Sequence, residues 1–87
     1  MLTLQDCIEL SELDEAEILA IAEHEHIPEM VALEMGNYLV HSPEGERRIK
    51  RMIVDDIDAA RERHDRREVV RLKAVLRHFV TEHAACQ

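Results

Sequence analysis

The 87-residue chain has no tryptophan, and its only aromatic residues in the usual sense are Tyr38 and Phe79, so any core it builds has to be aliphatic. Glycine and proline occur twice each, as Gly36, Gly45, Pro28 and Pro43, too few for the many tight turns of a sheet protein. The expected class is therefore all-α: a compact bundle of four main helices plus a short N-terminal helix. No run approaches the ~18 apolar residues of a membrane span, and the amino terminus has no basic segment followed by an apolar one. Neither span nor secretory signal is indicated, and a cytoplasmic protein is expected. Cysteine stands only at Cys7 and Cys86, near opposite ends and without metal-ligand spacing, which predicts two free thiols in a reducing compartment. Serine occurs only at Ser11 and Ser42, both at helix boundaries, and no glycine-rich phosphate loop exists. Nothing points to nucleophilic catalysis or nucleotide binding, so the expectation is a non-enzymatic protein without a cofactor.

Positive charge is missing from the first half. Twelve acidic and no basic side chains lie in residues 1–46, whereas the remainder holds eleven basic and seven acidic ones, giving −12 and +4 within the total of −8. An acidic half is joined to a basic half, and the two are expected to pack together and neutralise each other in a single helical domain spanning residues 1–87. A chain of this length should fold to a radius of gyration of about 12 Å.

What is present organises around residues 42–64. Ser42 can cap, Pro43 suits a first helical turn, and Glu44 and Glu46 complement the positive end of the helix dipole. Beyond them Ile49, Met52, Ile53, Ile57 and Ala60 recur every three or four residues on one face. Thr3 with Asp6 predicts a short helix from Leu4 to Leu10, with Leu4 and Ile8 inward and Leu10 as a further inward candidate. The capping-box spacing of Asp14 and Glu17 predicts a second helix to about Glu25, with Ile18, Leu19, Ile21 and Ala22 as its apolar side. His26 falls on that side and His24 points away. Pro28 forces a turn at His26 and Ile27 and restarts a third helix, to about Val40. A last helix follows Asp65, with Glu68 at capping-box spacing and a seam of Val69, Leu72, Leu76, Phe79 and His83 facing the central helix.

The third helix carries two apolar arcs, Val31, Met35, Tyr38 and Leu39 on one and Met30, Leu33 and Val40 on the other. One domain with one core leaves an arc over, and Met30, Leu33 and Val40 are the expected homodimer interface. Arg47, Lys50, Arg51 and Arg61 form a basic stripe on the central helix, the best surface for another, acidic protein. Ion-pair spacings such as Arg51 to Asp55 make a plain solvated face the competing reading. Nucleic acid is not an expected partner: a helix-turn-helix at Pro28 would present Glu29 and Glu34 to phosphate, and no exposed aromatic platform exists for bases.

Six histidines in 87 residues is heavy use, and several stand beside acids. Glu23 and His26 have the Glu-x-x-His spacing of carboxylate-bridged di-iron bundles, once rather than twice. Asp56 falls among the apolar positions of the central helix, where an unpaired carboxylate is costly. Glu23, His26, Asp56 and His83 are thus candidate ligands for zinc or iron, the alternative to a polar bridge that locks helix register.

Overall fold

A computed structural model describes residues 2–83. Among these the chain is all-α, with five helices and no strand: α1 (Leu4–Leu10), α2 (Glu15–Glu25), α3 (Glu29–Leu39), α4 (Pro43–Glu62) and α5 (Arg66–Glu82). The amino-terminal caps are those the sequence implies. Thr3 Oγ1 accepts the Asp6 N–H while Asp6 Oδ2 accepts the Thr3 N–H, each at 3.1 Å. Asp14 and Glu17 do the same at 2.8 and 2.9 Å, and Ser42 Oγ accepts the Gly45 N–H at 3.0 Å. Asp65 caps α5 through the Glu68 N–H at 3.2 Å, but the Glu68 side chain turns to Arg71, so that box is half formed. Ser11 ends α1, its Oγ 2.8 Å from the Ile8 carbonyl. Pro28 precedes α3 as its cap rather than entering its first turn.

Two helices end on a left-handed histidine, His26 with φ 57° and His64 with φ 60°. After α4 the Asp65 N–H reaches the Ala60 carbonyl (2.9 Å) and the His64 N–H that of Arg61 (3.1 Å), the double closure usually built around glycine. After α2 the Ile27 N–H reaches Ala22 in the same way, at 3.1 Å. Histidine tolerates this backbone region better than most residues, which is how a chain with two glycines makes these turns.

Ile49, Met52, Ile53, Ile57 and Ala60 of α4 are all buried, as their spacing predicts. They pack on α5, where Leu72, Phe79 and His83 of the predicted seam are buried together with Val75, and Val69 and Leu76 are half-buried. The pair is antiparallel, since His83 at the end of α5 meets Glu46 at the start of α4. α2 lies across both and contributes Ile18, Ala20 and Ile21. α1 adds Ile8, with Leu4 and Cys7 at the core's margin; Leu10, the further inward candidate, is exposed because α1 ends there and the chain turns away. Cys7 is a free thiol, and Cys86 lies outside the described residues.

The α3–α4 corner depends on Gly45. A Cβ there would stand 1.9 Å from the Leu39 carbonyl oxygen, so the first turn of α4 packs directly on the end of α3. That approach fixes how α3 is rolled. Its buried side is Ala32, Leu33, Gly36 and Leu39, followed by Val40, whereas Met30, Val31 and Tyr38 are exposed. Leu33, 3% exposed, and Val40, 6% exposed, therefore belong to the protein's own core. The expected interface of Met30, Leu33 and Val40 is corrected on this point: only Met30 is accessible. The radius of gyration is 12.5 Å and the shortest dimension 18 Å, about two layers of helices packed 8–10 Å apart. A two-layer molecule can cover one side of α3, and Met30, Val31 and Tyr38, drawn from both arcs, stay outside. No helix among the described residues is long and apolar enough to cross a membrane.

Candidate functional site

Where the end of α2 crosses the middle of α4 and the start of α5, a polar cleft of about 310 Å³ is lined by Glu23, His24, His26, Asp55, Asp56 and Arg63 among others. His24 was expected to point away from the bundle, yet it ties α2 to α4. Its Nε2 lies 3.2 Å from Asp55 Oδ2, and its Nδ1 lies 3.0 Å from Glu25 Oε2. Burial disfavours the imidazolium, but hydrogen bonds to Asp55 and Glu25 outweigh it, and the His24 pKa is raised. Asp55, spaced to pair with Arg51, is taken up by this contact instead.

Asp56 sits below that bridge with Oδ2 buried and without a hydrogen-bond partner among the described residues. Burial comes first in pushing its pKa up to about 6; Glu23, Asp55 and Glu68 add to the rise, and His24 opposes it. On the α5 side Arg71 clasps Glu68 and lies 3.7 Å from Glu23. Its hydrogen bond holds the Glu68 carboxyl below the ordinary range. The cleft gathers three carboxylates, Glu23, Asp55 and Asp56, braced by His24 and, from beside it, by Arg71, with one acid poised to carry a proton near neutral pH.

Glu23, His26 and Asp56 line this cleft together, as a shared site would require, but His83 does not join them. It lies beside Glu46 (Nδ1 to Oε1, 3.4 Å) and stacks on Phe79 with ring centroids 4.2 Å apart. Glu46 and Asp56 are ten residues apart on one helix, about 15 Å. The four-residue ligand set is therefore corrected: α5 carries His83 to the opposite end of α4. His26 is swung out by its left-handed backbone and is exposed, where an uninterrupted helix would have kept it on the apolar side.

No family model, curated protein or solved structure matches this chain. The site must be judged on its own residues.

Among the described residues, the set of three metal-capable side chains whose donor atoms all lie within 4.8 Å of one another is Asp14, Glu17 and His78. Sequence reading assigned Asp14 and Glu17 to capping alone and gave His78 no role. Glu17 is 1% exposed, with Oε1 accepting the Asp14 N–H and Oε2 unpartnered among the described residues. Burial raises its pKa above the ordinary 4.5 against the Asp14 N–H bond, which lowers it. The signal was available: three and four residues from Ala20 and Ile21, Glu17 occupies an inward position of α2.

Of the basic stripe, Arg47, Arg51 and Arg61 are exposed and Lys50 is half-buried. Arg61 lies 3.6 Å from Asp58, an ordinary surface pair.

Proposed function

We propose that this chain is a small, non-enzymatic protein-interaction module of the cytoplasm that pairs with a second copy of itself through the outer face of α3. The observation that carries this reading is the exposure of Met30, Val31 and Tyr38 on one side of a helix whose other side is core. Tyr38 is 80% exposed and is one of only two Phe or Tyr residues in the chain. Tyrosine anchors contacts well, having a large rigid ring and a polar tip. Met30 adds an adaptable apolar side chain. A 500 Å³ surface hollow formed by Asn37, Tyr38, His41 and Ser42 continues the face toward α4.

Charge favours a two-fold arrangement. α3 begins with Glu29, carries Glu34, and hands over to α4, where Arg47 and Arg48 are exposed. Antiparallel pairing of two α3 helices sets the acidic end of each toward Arg47 and Arg48, which follow the acidic first turn of the partner's α4, the self-complementary pattern an isologous interface requires. The basic stripe of Arg47, Lys50, Arg51 and Arg61 then flanks the pairing surface and is open to an acidic protein.

Sedimentation equilibrium of the full chain across the micromolar range tests the reading. A dimer that Tyr38→Glu converts to monomer, with unchanged helical content, is the expected result. A mass of 10.1 kDa throughout ends it. Tyr38 is the right position because its replacement leaves the core intact, whereas Leu33→Glu would unfold the chain.

A further inference from the structure

We propose that Asp14, Glu17 and His78 bind a divalent transition-metal ion, with zinc the best fit. This site lies at the start of α2, apart from the polar cleft and from the outer face of α3. His78 Nε2 stands 3.3 Å from Asp14 Oδ2. Ligands 2.0–2.2 Å from a tetrahedral ion are separated by about 3.4 Å, so these two already stand one tetrahedral edge apart. A carboxylate oxygen of Glu17 lies within 4.8 Å of a donor atom on each of them, so closing the third side takes a movement of no more than about 1.4 Å.

The independent observation is Glu17 itself. The capping box commits one oxygen of each carboxylate, Asp14 Oδ1 to the Glu17 N–H and Glu17 Oε1 to the Asp14 N–H. That locks both side chains and leaves the second oxygens over. Glu17 Oε2 is buried with no hydrogen-bond partner among the described residues, although the imidazoles of His78 and the buried His83 both lie close enough to act on the carboxylate. A buried carboxylate oxygen in that condition is stabilised by a cation or a proton, and the His78 imidazole and the Asp14 carboxylate have donor atoms within 4.8 Å of the Glu17 carboxylate.

The surroundings favour the cation. Glu9, Glu12, Glu15 and Glu82 line the same cleft as Asp14 and His78, and no lysine or arginine does. The positive end of α2 opposes binding with roughly half a unit charge, less than the two carboxylates supply, and the capping bonds already occupy part of it. One imidazole and two carboxylates suit zinc; calcium takes six to eight oxygens and magnesium prefers water and carboxylate. Glu17 holds the ion from beneath, the half-exposed Asp14 and His78 hold it from the rim, and the remaining position faces solvent.

The test is zinc chloride titrated by calorimetry into untagged, chelator-treated full-length protein, with melting followed in parallel. One ion per chain, micromolar or tighter binding and a raised melting temperature are expected. Asp14→Asn and Glu17→Gln retain the caps while removing ligand charge, and His78→Gln changes an exposed side chain. Each should weaken zinc by more than about tenfold without changing the apo fold. His26→Gln, in the other cleft, should have no effect. Absence of saturable zinc binding, or binding that survives His78→Gln undiminished, overturns the proposal. Should Glu17→Gln fail to fold, His78→Gln decides alone.

Discussion

Asp56 is held mostly protonated in the folded chain at a pH where the unfolded chain has released its proton. Its pKa is about 6 in the fold against an ordinary 3.8, so its contribution to stability is complete below pH 3.8 and is lost as pH rises through 6. His24 acts in the same direction: its raised pKa gives stability below its ordinary 6.5 that is lost as pH climbs through the folded value. Glu17, raised from 4.5, adds to the trend, while the lowered Glu68 opposes it only in more acidic solution. The melting temperature is therefore expected to be higher at about pH 5.5 than at about pH 8. Asp56→Asn should flatten part of that slope and stabilise the protein at neutral pH by about 1 kcal/mol, allowing for partial solvent screening. The two left-handed histidines offer a second check. His64→Gly should stabilise by roughly 0.5–1 kcal/mol in urea unfolding, since glycine adopts this backbone without steric penalty. Gly45→Ala should destabilise by about 3 kcal/mol, because the obstacle is the Leu39 backbone rather than a side chain that can rotate. That Asp56 was costly could be read from its place among apolar residues. The role of His24 could not be read, because a helical wheel describes one helix and Asp55 stands on another; the inward place of Glu17 could be read, but not that His78 of α5 would stand near it.

Helix boundaries were legible because the signals for them are local. The pairs Thr3 and Asp6, Asp14 and Glu17, and the residue Ser42 each satisfy amide groups within one turn, and the caps form where the sequence puts them. The buried face of α4 was legible for a similar reason, since five apolar residues at regular spacing leave no second choice of side. α3 offered two choices. Both of its arcs are apolar, and the roll of the helix is set by Gly45 on Leu39 and by Gly36 beneath Leu13, contacts with residues outside α3 that its own wheel does not contain. A matched pair of substitutions separates the two sides. Leu33→Ala should lower stability by about 2–5 kcal/mol as a core cavity, while Tyr38→Ala should change monomer stability by less than about 0.5 kcal/mol. Urea titrations at low protein concentration would show the difference directly.

At the scale of the whole molecule, the acidic and basic halves are bridged at a few points, by one arginine and otherwise by histidines. Asp14 of the acidic half meets His78, Glu23 meets Arg71, and Glu46 meets His83. The net charge of −8 repels a polyanion, and the exposed arginines of α4 are interleaved with acids. Duplex DNA or RNA should bind weakly and be released at about 0.15 M salt, as fluorescence anisotropy would show. The feature the bundle does not resolve is the outer face of α3, which its two-layer thickness leaves uncovered. The most direct measurement is a concentration series of amide ¹H–¹⁵N spectra on the full chain. Dilution is predicted to move the signals of Val31, Glu34 and Tyr38 and their neighbours on α3, with the interior positions of α4 and α5 steady. Spectra that do not change with concentration, or changes confined to α4 and α5, would contradict pairing through α3.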